Sequence, residues 1–149
     1  MIATHRRAVD HSGQEFDLAR ARIVVADDHK EVRNTIVRLL KRRFEVVAAV
    51  EDGPTSLEAV ARLKPDLCVL DISMPRMSGI EAARRIKACD AKMRIVFLTN
   101  HDDFDLRAAA LETGAEGYVT KARMGGDLML AINEVLAGRR WFSRGDGVG

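Results

Sequence analysis

Four apolar residues, Leu67, Cys68, Val69 and Leu70, run straight into the carboxylate of Asp71, and Pro75 and Gly79 follow shortly after. The run is short and rich in strand-forming residues, so it reads as a buried strand, and the Pro and Gly turn the chain into a helix starting near Ile80. Asp71 then stands at the strand's carboxyl end, where an open α/β sheet binds ligands. Three further apolar runs end the same way: Ile23–Ala26 on Asp27 and Asp28, Ile95–Leu98 on Thr99, and Tyr118–Thr120 on Lys121. Three carboxylates, a hydroxyl and an ammonium are thereby placed on one rim of a parallel sheet.

From Arg22 onward short apolar runs alternate with helical patterns, the signature of βαβ units. Strands are predicted over 22–26, 44–50, 67–71, 94–98 and 116–120, and helices over 30–43, 53–64, 79–88, 103–112 and 126–137. Val32, Ile36, Leu39 and Leu40 have core spacing in the first helix, Leu57, Val60 and Ala61 in the second, and Leu128, Ala131, Ile132, Val135 and Leu136 in the last. Right-handed crossovers put helices on both faces of the sheet. The expectation is one α/β domain over 22–140, between a flexible extension over 1–21 without periodicity and a short tail over 141–149.

Composition excludes several classes. With 149 residues there is material for a single core. No run approaches the ~18 apolar residues of a membrane span and no apolar leader follows the early arginines, so a cytoplasmic protein is expected. Cys68 and Cys89 belong to no Cys-x-x-Cys or Cys/His cluster and are read as reduced thiols. The net charge of +2 is spread along a chain that is 31% charged, with no clustered basic face. Direct nucleic-acid binding by this chain alone is therefore not expected.

The acid pair Asp27-Asp28, the Asp71 followed by Met74-Pro75 and Gly79, then Thr99 and Lys121, each after a strand and in this order, resemble the receiver domain of bacterial two-component response regulators. The resemblance covers roughly Arg22 to Arg140. It implies a doubly wound, five-stranded parallel sheet of order 2-1-3-4-5, in which the first and third strands are neighbours and Asp27 and Asp28 meet Asp71. It further implies that Asp71 is the phosphoacceptor, that Asp28, Asp71 and the backbone carbonyl of Ser73 ligate Mg2+ with Asp27 acting through water, and that Thr99, Lys121 and Tyr118 bind the phosphoryl group and report it. Ser73, Asn100 and His101 are placed over the path of attacking water and are expected to tune rates.

The residue chemistry agrees with that assignment. Two carboxylates about 4 Å apart repel by roughly 4 kcal/mol at an effective dielectric near 20, so an acid cluster calls for a cation. All-oxygen ligands favour Mg2+. A carboxylate can then act as a nucleophile on phosphorus, with the metal, Lys121 and Thr99 countering charge on the transferred oxygens. Taken singly, Asp27-Asp28 is equally a helix-capping pair, Thr99 a strand end, Lys121 a solvated cation and Tyr118 a core residue. Their joint order carries the assignment. The expected partners are a sensor histidine kinase or histidine phosphotransfer protein and a downstream protein target, with a homodimer as a further option. The alternative is the receiver portion of a helix-turn-helix transcription regulator, which Asp28-His29 and the stretch from Thr99 to Asp103 suggest by resemblance.

Overall fold

The computed structural model describes residues 7–9, 15–17, 21–100 and 103–143. Two short strands, β1 (Arg7–Val9) and β2 (Glu15–Asp17), pair antiparallel in a sheet of their own. The absence of periodicity in this stretch gave no sign of them. The rest of the expected extension lies outside the described residues except Ala21, which is buried and accepts a hydrogen bond from Glu45 N.

The main sheet is parallel and contains the predicted strands: β3 (Arg22–Ala26), β4 (Glu45–Val50), β5 (Leu67–Asp71), β6 (Arg94–Thr99) and β7 (Gly117–Thr120). A sixth strand, β8 (Trp141–Phe142), lies at the edge, and the spatial order is β4-β3-β5-β6-β7-β8. For the predicted strands this is the expected 2-1-3-4-5. The sixth corrects the five-stranded expectation, because the chain turns at Gly138 (φ 89°) and runs back beside β7. Helices α1 (Lys30–Leu40), α2 (Gly53–Leu63), α3 (Gly79–Cys89), α4 (Phe104–Glu112) and α5 (Met124–Leu136) cover the two faces.

Alternation along the strands divides the core between those faces. Ile23, Val25, Leu67, Val69, Val96, Leu98 and Val119 pack with Ile36 and Leu40 of α1 and with Leu128, Ala131, Ile132, Val135 and Leu136 of α5. Val24, Cys68, Leu70, Ile95, Phe97 and Tyr118 pack on the other side with Ala59 and Val60 of α2, Ile80, Ala83 and Ile86 of α3 and Ala110 of α4. Each fully buried aliphatic or aromatic side chain contributes roughly 1.5–3 kcal/mol. Both strand faces being apolar explains why β5 reads as a continuous run.

Two helix details depart from the sequence reading. Helix α1 stops at Leu40, three residues early, because Arg43 N and Phe44 N both donate to the Leu40 carbonyl and so close the helix as Phe44 turns into the core. In α2 Ser56, Ala59 and Val60 are buried and Leu57 packs partly buried beside them, whereas Ala61 is exposed. At about 100° per residue, a stripe through 56, 59 and 60 leaves 61 on the outer face. Asp52 caps this helix, accepting from Thr55 N at 2.8 Å, and Arg76 Nε donates to its other oxygen at 2.9 Å. The Thr55 hydroxyl, the Thr55 N–H and, less strongly, Arg76 hold the Asp52 carboxyl below its ordinary range, against the effect of burial.

Candidate functional site

Register brings the rim residues together. Ala26 pairs with Leu70, so the acid pair after β3 stands beside Asp71 at the end of β5, and Thr99 of β6 pairs with Thr120, one residue before Lys121. Asp27 and Asp71 are almost fully buried, at 0% and 3% exposure. Lys121 Nζ lies 2.8 Å from Asp27 Oδ2 and 3.3 Å from Asp71 Oδ2, itself largely buried at the start of a short 3-10 turn (Lys121–Arg123).

Asp27 is held from several directions. Its N–H donates to Val50 O, its Oδ1 accepts from His29 N at 2.8 Å, and its carbonyl accepts from Arg33 Nη1 at 2.8 Å. Asp71 is positioned by its backbone. Gly79 N donates to Ile72 O at 2.7 Å, and a Cβ on Gly79 would lie only 2.0 Å from the Asp71 carbonyl oxygen, so the turn from β5 into α3 closes against Asp71 without a side chain between. Ser73 N donates to Asp71 Oδ1 at 3.3 Å.

Burial, reinforced by the negative charge of Asp27, pushes the Asp71 carboxyl up to about 6, while Lys121 and the Ser73 N–H pull it back. One ammonium serves two buried carboxylates here. Lys121 lies close to Oδ2 of both, yet neither oxygen has a partner in hydrogen-bond geometry. Ligand atoms of Asp27, Asp28, His29 and Asp71 all lie within 4.8 Å of one another. Buried carboxylates that share a single ammonium, in an oxygen-rich cluster, fit a small divalent cation such as Mg2+.

The other predicted residues are distributed around this centre. Asp28 and Ser73 are exposed and line an open cleft of about 650 Å3 with Met74, Pro75 and Leu106. Thr99 is buried, Asn100 after it is exposed, and His101 lies outside the described residues. Tyr118 is buried at 1% exposure, its ring 4.6 Å from the Arg107 guanidinium carbon, so the predicted signal-reporting aromatic is inward in this structure.

A family model, the response regulator receiver domain, matches residues 23–133. The chain belongs to the response regulator receiver family. This receiver is 36% identical over 120 residues to the transcriptional regulatory protein DegU of Brevibacillus brevis, covering 79% of the chain and 50% of that protein. It is 34% identical over 114 residues to the chemotaxis protein CheY of Halobacterium salinarum, covering 76% of the chain and 95% of that protein. The crystal structure of a two-component response regulator of the LuxR family from Aurantimonas sp. SI85-9A1 superposes with a TM-score of 0.79 at 39% identity, covering 82% of this chain and 89% of that one. The receiver spans about half the length of the Brevibacillus relative.

His29, which precedes α1 as its N-cap, carries no role in the sequence reading, yet its Nδ1 lies 3.1 Å from Asp28 Oδ1. Its adjacency to the acid pair was the available signal. The same geometry removes the capping reading of Asp27 and Asp28, since neither is the N-cap. Arg33 and Arg107 carried no local signal, because each is one arginine among many on a helix. Among the described residues no helix of the receiver is long and apolar enough to cross a membrane.

Proposed function

We propose that this receiver accepts a phosphoryl group on Asp71 from a histidine kinase or histidine phosphotransfer protein. The observation that carries the reading is a buried carboxylate at the end of β5, facing Asp27 and the Lys121 ammonium, with its neighbours Ile72 and Ser73 and the adjacent Asp28 lining an open cleft. An Asp71 oxygen attacks phosphorus as the donor's N–P bond breaks, and the electron pair leaves with the donor imidazole. Asp28 and Asp71, with the Ser73 carbonyl and with Asp27 acting through water, would hold Mg2+, which when bound neutralises the acid cluster and the incoming phosphoryl oxygens. Lys121 supplies a second positive charge and the Thr99 hydroxyl donates to a transferred oxygen. Ser73 and Asn100, exposed beside the acid cluster and Thr99, together with His101, set water access and hence the lifetime of the product. The chain acts as a phosphoacceptor whose partner surface changes, not as an enzyme with a released small-molecule product.

Incubation with acetyl phosphate and Mg2+ is expected to add one phosphoryl group by intact mass, and Asp71→Asn to lose essentially all of it. Equal labelling of the variant would refute the assignment.

A second reading, compatible with the first, makes this the receiver portion of a transcription regulator with a helix-turn-helix output. It is favoured by the match to half of a transcriptional regulatory protein and by the LuxR-family neighbour.

A further inference from the structure

We infer that the segment Trp141–Ser143 is the first output of this receiver: phosphorylation at the rim loosens β8 from β7, and the chain that follows α5 carries the signal. The inference rests on the phosphoacceptor reading of Asp71.

Strand β8 is two residues long, parallel to β7, with Gly117 opposite Trp141 and Tyr118 opposite Phe142. Trp141 and Phe142 pack partly buried against the two cores, but the backbone attachment of β8 is small and runs past Tyr118 and Thr120. Trp141 N donates to Glu116 O at 3.0 Å, Ser143 N donates to Tyr118 O at 2.7 Å, and Thr120 N donates to Ser143 Oγ at 3.3 Å. Arg107 of α4 lies over the Tyr118 ring and donates through Nη2 to the Ser143 carbonyl. One arginine therefore joins α4, the buried aromatic of β7 and the end of β8.

The link to the acid cluster is equally short. Thr120 precedes Lys121, whose ammonium lies 2.8 Å from Asp27 and 3.3 Å from Asp71. A phosphorylated side chain carries about −1.5 to −2 charge. Replacing the single negative charge of Asp71 by that group draws Lys121 further toward the rim, and Thr120 moves with it. The Thr120 N–H contact to Ser143 stands at the long end of hydrogen-bond distances and is the first to break. Thr99 is paired with Thr120, so a shift of Thr99 toward the transferred oxygens strains the same bond. A short edge strand held by three backbone donors is at the low-stability end of a fold, where signal-driven opening is cheapest. Ser143 is nevertheless 2% exposed in this structure, so its release has a large readout.

Trp141 is the chain's only tryptophan and reports β8 directly. In the 149-residue chain with Mg2+, phosphorylation by acetyl phosphate should shift Trp141 emission to the red. It should also speed exchange of the Ser143 amide, followed by NMR, by about tenfold, within the range usual for coupling between sites. Arg107→Ala should give the same emission shift without phosphate and, by reciprocity, bind beryllofluoride more tightly by the same factor. Ser143→Ala, which removes only the hydroxyl acceptor, should act in the same direction and more weakly. If mass shows one added phosphoryl group while Trp141 emission and Ser143 exchange stay unchanged, or exchange slows, the coupling is wrong and the phosphoacceptor reading stands. If no phosphoryl group is added, both fall.

Discussion

Asp71→Asn is expected to stabilise the unphosphorylated receiver by about 2 kcal/mol at pH 7.5 and by close to nothing near pH 4, without divalent cation. The Asp71 carboxyl is pushed up to about 6, by burial first and by the charge of Asp27 second. An unfolded chain ionises an Asp near 3.9. Between those values the folded chain keeps a proton that the unfolded chain releases, so stability falls as pH rises from about 4 to 6 and then levels off. At ~1.4 kcal/mol per unit, a displacement of about two units, already net of the attraction of Lys121, amounts to ~3 kcal/mol, and solvent screening at the open rim lowers the expected gain to about 2 kcal/mol. Mg2+ should shrink the difference, since a cation relieves the same repulsion. Urea unfolding of both proteins from pH 4 to 8 measures it. A variant less stable than the parent at pH 7.5, or a difference that does not vary with pH, would show that Asp71 is not a strained carboxylate.

Gly79→Ala is expected to cost ~3 kcal/mol or more. The new Cβ would stand 2.0 Å from the Asp71 carbonyl oxygen and 2.9 Å from Ile72 Cα, which are backbone atoms and cannot rotate away. Overpacking of this kind costs about 1–3 kcal/mol even where side chains can yield. The displaced backbone also carries Asp71, the proposed acceptor, so labelling by acetyl phosphate should slow at least about tenfold, as misplacement of reacting groups does. Gly126→Ala is the control: nothing lies within 4 Å of its Cβ, it sits within α5, and Ala there should stabilise by up to about 1 kcal/mol. Denaturant midpoints for the two variants should move in opposite directions. A Gly79→Ala midpoint close to the parent's would mean that the turn into α3 has slack.

These effects trace to features with unequal visibility in the sequence. The rim is legible because it is made of strand ends: a buried parallel strand is an unbroken apolar run, and the first polar residue after it is where the backbone leaves the sheet. Asp27, Asp71 and Thr99 are placed by that rule, Lys121 follows one residue after the polar Thr120, and parallel register then brings them together. The inward faces of α5 follow from its period, and all five residues read from it are buried. Strand β8 was not legible, since two residues carry no alternation and Trp141–Phe142 becomes a strand only because β7 offers an open edge. Arg107 and His29 were missed for a related reason. Their roles depend on Tyr118, Ser143 and Asp28 being at hand in space, which no local pattern announces. The end of α1 and the face of Ala61 differ from the reading by one turn or less, where competition for a single carbonyl or one step around the helix decides.

Asp71 alone among the clustered carboxylates is expected to accept the phosphoryl group. Borohydride reduces an acyl phosphate of aspartate to homoserine, and trypsin separates Asp71 from the acid pair, because the peptide from Leu63 to Arg76 holds one and the peptide from Ile23 to Lys30 holds the other. Peptide mapping after acetyl phosphate, Mg2+ and borohydride is predicted to show homoserine at position 71 and unmodified Asp27 and Asp28. Homoserine at 27 or 28, with Asp71 unmodified, would rule out Asp71 as the acceptor.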